Sequence, residues 1–376
     1  MREESDPATS ESAASVESVI ERYLDGIEAG NSRKNYRSVL IGWEAWLREQ
    51  TDVTTLNAVT VMHCRRYARR LKELVRDGDL RASTANTYYA YVRAFLGFCV
   101  ADELLDTNPA KSTRATDELP EDHGDRDRQF WKRKQRNAIL THVDRRAAKA
   151  RTGGSEREIR RALRDRALVA LLALSGVRGG EVFAAPADER RTGLTWNDVD
   201  TDANAVRVFG KSREYEYAQL PERASAALVD HRERCDPADA SWPVFPTGHG
   251  PSRRRAVEAE LGARGWSDEE VDERCESAPL STVIREERVA PPSLTTNGAR
   301  SVMKRLCADA GVDVRGEYLK PHGARRGLGH ELYASGHAEL AQSALRHVSI
   351  ETTHESYSDI RAAETARQVD RVLKRD

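Results

Sequence analysis

The sequence predicts a mainly α protein with a small β-sheet, built as an N-terminal four-helix domain followed by a larger C-terminal domain. Apolar residues recur at helical spacing in four segments before residue 110. A polar segment over residues 111–128 separates these helices from a second stretch that is rich in apolar residues. Within that second stretch, two short segments of alternating apolar and polar residues predict a hairpin. The length of 376 residues is sufficient for two domains.

The N-terminal helical domain is expected over residues 15–110, after an acidic and polar segment, 1–14, that is expected to be a disordered tail. Each of its four helices is predicted from apolar positions that share one face, and Ser83 is expected to be the N-cap of the fourth. We interpret Trp43 and Trp46 among them as core residues. The apolar positions are Val16, Val19, Ile20, Tyr23, Leu24 and Ile27; Tyr36, Val39, Leu40, Trp43, Trp46 and Leu47; Met62, Tyr67, Leu71 and Leu74; and Tyr88, Tyr89, Val92, Phe95, Leu96 and Val100.

Residues 111–128 are charged and polar, so they are expected to form an exposed, flexible linker. The second domain is expected over residues 129–376, with Lys211 at the tip of its hairpin. A charged helix is predicted over the last residues, Arg361–Asp376. The other predicted helices are Gln135–Ala150, Ile159–Ser175, Pro221–Cys235 and Thr295–Ala310, and the predicted strands are Leu194–Trp196, Ala205–Phe209 and Tyr215–Leu220.

Composition restricts the class of protein further. The net charge is only −1, but bases are segregated: residues 126–166 contain 15 Lys or Arg against 5 Asp or Glu. Such basic faces can neutralise phosphates by releasing counterions. The five cysteines are scattered and form no C-x-x-C pair, which predicts reduced thiols and no zinc site. No membrane span or signal peptide is apparent, so we expect a cytoplasmic protein that does not contact a membrane.

Six widely separated residues carry a recognisable chemistry. Arg178 lies in the segment SGVRGGEV, and Lys211 lies in the hairpin turn. His322 and Arg325 are three residues apart in PHGAR, so a helix places them on one face. The remaining two, which follow in LRHVSIETTHESY, are His347 and Tyr357. Guanidinium groups bind phosphate oxygens with two parallel hydrogen bonds, and a phenol can attack phosphorus.

In this order and spacing, the six residues resemble the catalytic signature of the tyrosine recombinases, the phage-integrase and Xer-like family. Two departures from the family pattern occur. Arg346 stands where the family usually has glycine, and Ala324 stands where leucine usually precedes the second arginine. Neither departure removes a reacting group. The segment 247–292 is longer than usual for the family, and we describe it as an insertion.

The resemblance implies a fold and a role for each residue. The N-terminal helices would form a SAM-like core-binding domain, and the rest of the chain a tyrosine-recombinase catalytic domain. Arg178 and Arg325 would clamp the scissile phosphate, and Tyr357 would attack phosphorus to give a 3′-phosphotyrosine and a free 5′-hydroxyl. We expect flanking guanidinium groups to favour the phenolate. Lys211 would be the general acid for the leaving 5′-oxygen. His322 would assist as an acid–base partner and His347 would hydrogen-bond the phosphate. No metal or cofactor is expected.

The resemblance also implies the partners. Double-stranded DNA is the expected substrate, with the two domains closing around it as a clamp through a hinge in the linker. A monomer is expected when the protein is free and a homo-tetramer on DNA, with the C-terminal helix docking on a neighbouring protomer. Accessory DNA-bending proteins are compatible with this assembly.

Two other functions use many of the same residues. A type IB topoisomerase shares almost all of the reacting groups, but the N-terminal four-helix pattern disfavours it. A non-catalytic factor that occupies recombination sites is disfavoured because every reacting group is present.

Among the other candidates, His330, His337 and His354 are interpreted as structural, and Tyr333 as a buried residue rather than a rival nucleophile. Glu181 is interpreted as a residue that orients Arg178.

Overall fold

The computed structural model describes residues 15–28, 30–122 and 129–357. The described residues form two compact units, one before and one after residues 123–128. The predicted N-terminal tail and the predicted helix Arg361–Asp376 lie outside the described residues. None of the helices in the described part of the chain is both long and apolar enough to cross a bilayer.

The N-terminal unit contains the four predicted helices. Its core is formed by their apolar faces, and Leu40, Trp43 and Phe95 are fully buried at its centre. The first helix begins after Ser15, whose side chain accepts a hydrogen bond from the backbone N–H of Ser18. The helices are α1 (Val16–Asp25), α2 (Gly30–Thr51), α3 (Val61–Arg76) and α4 (Ala82–Ala101), followed by the short α5 (Thr113–Thr116).

The fourth helix begins earlier than predicted. Its first residue is Ala82 and its N-cap is Arg81, so Ser83 lies inside the helix and is not the N-cap. The hydroxyl of Thr87 donates to the carbonyl oxygen of Ser83 at 2.8 Å, within the ordinary helical pattern.

The predicted linker differs from the structure over residues 111–122. This segment packs onto the N-terminal unit, where Ala115 is fully buried. The carboxylate of Glu118 accepts hydrogen bonds from Arg65 at 2.9 Å and Arg69 at 2.8 Å. The carbonyl oxygen of Pro120 accepts one from Asn86 at 3.2 Å. The polar composition of this segment led to the wrong prediction. The buried side chain of Ala115 and the ion-paired carboxylate of Glu118 fix the segment to the N-terminal unit.

The C-terminal unit is helical around a small antiparallel sheet of strand order β1-β2-β3. In the register of β2 and β3, Arg207 is opposite Tyr217. The strands are β1 (Val199–Asp200), β2 (Ala205–Phe209) and β3 (Tyr215–Gln219). The helices are α6 (Arg133–Gly153), α7 (Glu156–Leu174), α8 (Gly179–Val182), α9 (Glu222–Cys235), α10 (Gly250–Ala263), α11 (Asp268–Ser277), α12 (Leu280–Glu286), α13 (Thr296–Ala310), α14 (Pro321–Ala334), α15 (Ala338–Leu345) and α16 (Ile350–Ser356).

The strand predicted over Leu194–Trp196 is wrong. Trp196–Asp198 forms a short 3₁₀ helix, and the first strand of the sheet is β1. The carboxylate of Asp198 accepts hydrogen bonds from the backbone N–H of Thr195 at 3.0 Å and from its hydroxyl at 2.7 Å. These side-chain bonds stabilise a turn in place of a strand ladder.

Helix α7 is the centre of the C-terminal unit. Residues Ala167–Ala173 are buried on every side, with α6, α9 and α14 packed around them. The helix begins with a capping box in which Ser155 and Glu158 bond each other's backbone N–H. It ends before Gly176, whose φ of +68° is a left-handed conformation that glycine adopts without steric cost. This turn presents Arg178.

The insertion is an integral part of the C-terminal unit. Its helices α10, α11 and α12 bury apolar side chains in the same core as α7. Helix α11 is acidic in its first turn, where it carries Asp268, Glu269 and Glu270. The insertion residues in this core are Val257, Leu261, Val271, Val283, Ile284 and Val289.

Asp165 is a fully buried carboxylate on α7 that three arginines surround. Its oxygens lie 3.2 Å from Arg146, 2.9 Å from Arg164 and 2.6 Å from Arg305. Burial alone would raise the pKa of Asp165, but the arginines outweigh it and lower the pKa below its ordinary value.

We expect Asp165→Asn to lower the free energy of unfolding by about 3 kcal/mol, because it removes the buried counter-charge that Arg146, Arg164 and Arg305 share. Urea denaturation of both proteins at pH 7 measures this difference. Asp272→Asn is the matched control, since Asp272 pairs with Arg254 at an exposed position, and it should cost less than about 1 kcal/mol. Equal effects of the two substitutions would contradict the prediction.

Candidate active site

Arg178 is held at the start of α8 by Glu181. The carboxylate of Glu181 accepts a hydrogen bond from the Arg178 backbone N–H at 2.7 Å and from its Nη1 at 2.6 Å. The Glu181 side chain is 1% exposed, whereas that of Arg178 is 28% exposed. The structure therefore agrees with the interpretation that Glu181 orients this arginine, while leaving part of the guanidinium open to a ligand.

Arg325 connects two distant turns of the C-terminal unit. It lies on α14 and is buried. Its Nη1 donates to the carbonyl oxygen of Gly176 at 2.6 Å, and its Nη2 donates to that of Leu345. Gly176 precedes Arg178, and Leu345 precedes the turn that contains His347. Burial, and after it repulsion from Arg178, lowers the pKa of Arg325 to about 9, so that the group is still a cation at neutral pH.

Both predicted histidines are in the field of these arginines. His322 is on α14 with one side exposed, and partial burial followed by repulsion from Arg326, Arg325 and Arg178 lowers its pKa. Burial, then repulsion from Arg325 and Arg178, lowers the pKa of His347 to about 4. Both rings are consequently neutral at pH 7. A neutral imidazole can accept a proton or donate one hydrogen bond.

Electrostatic interactions thus place Arg178, Arg325, His322 and His347 near one another, and Tyr357 also lies within the field of Arg325. The ring of His347 is fixed by Thr353, whose hydroxyl oxygen lies 2.8 Å from Nδ1 and which is fully buried. This threonine is the second of the two in the segment LRHVSIETTHESY.

Lys211 is exposed at the tip of the β2–β3 hairpin, as predicted. Among the described residues, its ammonium group has neither a hydrogen bond nor an ion pair. The turn around it is ordered by its neighbours, since the N–H of Gly210 donates to the carbonyl oxygen of Glu214 at 2.8 Å. The structure therefore shows no contact between Lys211 and the arginines and histidines of the site among the described residues.

Tyr357 follows α16 and is buried rather than open to a substrate. The residue is 4% exposed, and its ring packs against that of Tyr333 at a centroid distance of 5.6 Å. Its hydroxyl donates to the carbonyl oxygen of Arg326 at 3.5 Å. Burial raises the pKa of Tyr357 to about 12, and the nearby Arg325 and Arg326 only reduce this rise. The guanidinium groups thus favour the phenolate, as expected, but in this conformation burial outweighs them and the phenol stays protonated at neutral pH.

Gly329 makes room for the buried phenol. A Cβ atom at this position of α14 would lie 2.1 Å from the Tyr357 hydroxyl oxygen and 2.4 Å from Cδ1 of Leu345. Both distances are too short for any ordinary contact, so a larger residue must displace the phenol or the leucine.

We expect Gly329→Ala to drive Tyr357 out of this position, because a helical alanine fits the backbone but not the space. Nitration of Tyr357 by tetranitromethane, quantified on its peptide by mass spectrometry, should rise severalfold. Gly262→Ala is the matched control, since Gly262 is also helical and has open space around it. Unchanged nitration in a folded Gly329→Ala protein would contradict the prediction.

The remaining candidates have structural contacts. Tyr333 is buried, and its hydroxyl lies 2.7 Å from Nδ1 of His354. His330 packs edge-on against Phe130 at 5.6 Å, and His337 is exposed before α15. No group of His, Cys, Asp or Glu in the described ranges is arranged to hold a metal ion.

Three residues of the site were not predicted from the sequence. Gly329 shapes the position of the phenol, while Arg346 and Glu216 form an ion pair with Nε at 3.0 Å from the carboxylate. The departure of Arg346 from the family glycine was the one signal in the sequence. Nothing in the local pattern of Glu216 or Gly329 distinguishes them, because their roles depend on segments far away in the chain.

Two family models match the chain. The model of the Phage integrase family matches residues 155–364, more than half of the chain. The model of the N-terminal SAM-like domain of phage integrases matches residues 20–103. Among curated proteins, tyrosine recombinase XerC from two strains of Xylella fastidiosa is 36% identical over 102 residues, which are 26% of this chain and 31% of the relative. The match therefore spans about a third of the length of these relatives.

Solved structures of similar fold cover nearly the whole chain. The Tn1549 transposon integrase in complex with a circular intermediate DNA is 15% identical, with a TM-score of 0.57, and the match covers 94% of this chain and 99% of that one. The XerH site-specific recombinase, bound to a palindromic difH substrate after cleavage, is 14% identical with a TM-score of 0.59, and the match covers 94% of this chain and 83% of that one. At this identity, the likeness supports the fold.

Proposed function

Since the chain belongs to the phage integrase family, the tyrosine recombinases, we propose that it is a site-specific DNA recombinase or integrase. It would cleave and rejoin DNA strands through a covalent 3′-phosphotyrosine. The observation that carries this proposal is the position of Arg325, whose guanidinium bonds the turn before Arg178 and the turn before His347. Two guanidinium groups and two neutral histidines then lie within electrostatic reach of one another.

The proposed step is an in-line displacement at phosphorus. The Tyr357 oxygen forms a bond to phosphorus, the bond from phosphorus to the 5′-oxygen breaks, and that oxygen leaves with the electron pair. Arg178 and Arg325 stabilise the charge on the non-bridging oxygens. His322 is neutral at pH 7 and is the group proposed to accept the phenol proton. Lys211 donates a proton to the leaving oxygen, and His347 hydrogen-bonds the phosphate.

The nucleophile must move before this reaction. In the conformation described here the phenol is buried under α14 and bonds the carbonyl oxygen of Arg326. We propose that binding of DNA, of a neighbouring protomer, or of both, releases α16 and brings the hydroxyl to the phosphate. The energy of the phosphotyrosine bond then serves for rejoining, so no ATP is required.

We propose double-stranded DNA as the substrate and a homo-tetramer as the active assembly, from a monomer in the free state. The solved relatives described above are bound to DNA, which supports the first part. The match to the SAM-like domain model favours a recombinase over a type IB topoisomerase. A DNA substrate is consistent with the cytoplasmic location expected from the sequence.

Covalent trapping tests the proposal. Binding sites are first selected from a random DNA pool, and a duplex with the selected site is nicked next to each candidate cleavage position. Loss of the short fragment prevents religation, so that the adduct accumulates. We expect a protein–DNA adduct that survives denaturation and whose phosphorylated peptide contains Tyr357. Specific binding without any adduct over a range of salt concentrations would instead support a non-catalytic DNA-binding factor.

A further inference from the structure

Arg346 has a backbone conformation that favours glycine. Its φ is +51°, in the left-handed region, at the C-cap of α15 directly before His347. An arginine here has a steric cost that the family's usual glycine avoids. Such a conformation persists when surrounding contacts hold it. The contacts of the Arg346 side chain are therefore informative.

The side chain of Arg346 joins three segments of the site. It is 9% exposed, and its Nη2 donates to Glu181 at 2.6 Å while its Nε donates to Glu216 at 3.0 Å. Glu181 also holds Arg178, as described above. Burial would raise the pKa of Glu181, but Arg346 and then Arg178 outweigh it and lower the pKa. The carboxylate is thus an anion between two cations.

Glu216 contacts both neighbours of Lys211. The hydroxyl of Ser212 donates to its Oε1 at 3.3 Å. The backbone of Gly210 lies so close that a Cβ there would be 2.4 Å from the same oxygen. Glu216 lies on β3, opposite Val208 of β2. Its carboxylate contacts the hairpin turn at Gly210 and Ser212, the residues on either side of Lys211. The orientation of this carboxylate, which Arg346 fixes, consequently defines the position of the turn.

We propose that Arg346 is a positioning residue that holds the Lys211 hairpin in place relative to Arg178, through Glu216 on one side and Glu181 on the other. This inference depends on the proposed function, because Lys211 has a role only if a 5′-oxygen leaves. The side chain of Arg346 need not contact the reacting atoms. Its effect is to keep the Lys211 ammonium where the leaving oxygen takes up a proton.

Replacing the leaving 5′-oxygen by sulfur distinguishes an effect of Arg346 on Lys211 from an effect of Arg346 on phosphate binding. An alkoxide needs a proton as it leaves, whereas a thiolate leaves readily without one, because thiols ionise near pH 8.5. In a substrate with sulfur in place of the bridging 5′-oxygen, the bond from phosphorus to sulfur breaks and sulfur keeps the electron pair. Loss of Lys211 function should then have little effect, while loss of phosphate binding should still slow the reaction.

The experiment compares adduct formation by Arg346→Gly on the oxygen and sulfur substrates. Glycine suits a φ of +51°, so the variant relieves backbone strain. We expect cleavage of the oxygen substrate to slow about tenfold to a hundredfold, part of the effect of a general acid. Cleavage of the sulfur substrate should stay within a few-fold of wild type. Glu216→Gln, which removes the charge at nearly constant shape, should give the same pattern.

A double variant provides a second readout. Lys211→Ala should slow the oxygen substrate, and adding Arg346→Gly should slow it little further, because both changes remove one function. Equal slowing of both substrates by Arg346→Gly, or multiplicative effects in the double variant, would overturn the inference and place Arg346 at the phosphate or at Arg178. A wild-type protein that forms no adduct with either substrate would overturn the proposed function itself.

Discussion

Tyr357→Phe is expected to abolish the covalent adduct with DNA while DNA binding stays within about twofold of wild type. The substitution removes the one oxygen that is proposed to attack phosphorus. It also removes a hydrogen bond of 3.5 Å to the Arg326 carbonyl oxygen, which is too long to contribute much to stability. Denaturing gels of the nicked substrate measure the adduct, and band shifts on the intact site measure binding.

Tyr333→Phe is the matched control for this prediction. Tyr333 is also buried and its ring contacts that of Tyr357. Its substitution removes a hydroxyl that is 2.7 Å from His354 but that lies outside the proposed chemistry. Adduct formation should persist in this variant. An adduct of normal yield in Tyr357→Phe, or its loss in a folded Tyr333→Phe, would refute the assignment of the nucleophile.

The second large effect is expected for Arg325→Lys, which should slow adduct formation about 10²–10³-fold. Lysine retains the positive charge but has a single ammonium in place of the planar fork. Arg325 uses that fork to bond the carbonyl oxygens of Gly176 and Leu345. A single ammonium cannot bond both carbonyl oxygens and also face a phosphate. The positive charge should therefore be misplaced, and the two turns should lose their fixed positions.

Single-turnover rates at saturating protein measure this effect without a contribution from binding. Arg300→Lys is the control, since Arg300 is exposed on α13 of the same unit. A melting experiment is needed in parallel, because loss of a buried hydrogen bond costs about 1–3 kcal/mol. A rate within threefold of wild type for a folded Arg325→Lys protein would show that the guanidinium is not part of the reaction.

Much of the fold was predictable from local signals. The four N-terminal helices and the β2–β3 hairpin follow from the spacing of apolar residues, since burial of one face imposes a period on the sequence. Predictions from local sequence were wrong where side-chain contacts, rather than the spacing of apolar residues, determine the structure. Residues 111–122 are polar, yet Ala115 and Glu118 fix them to the N-terminal unit. In the same way, Asp198 converts a predicted strand into a turn.

The sequence alone also predicted which residues could react. Arg178, Lys211, His322, Arg325, His347 and Tyr357 have the side chains that phosphoryl transfer needs, and their order in the chain matches one family. Four of them meet in the structure, joined by the contacts of Arg325. Tyr357 lies within the field of Arg325 but is buried, and Lys211 is exposed on its hairpin.

The sequence therefore determined which residues can react and the order of the helices and strands. The chemical type of a side chain is a property of one residue, and helical or strand periodicity is a property of near neighbours in the chain. Only the tertiary structure decided the state of the site: a phenol buried against Gly329, and a hairpin connected to Arg178 through Arg346. The physical reason is that burial and ion pairing depend on distances between segments that are far apart in the chain, 165 residues in the case of Arg346 and Glu181. No local pattern records those distances.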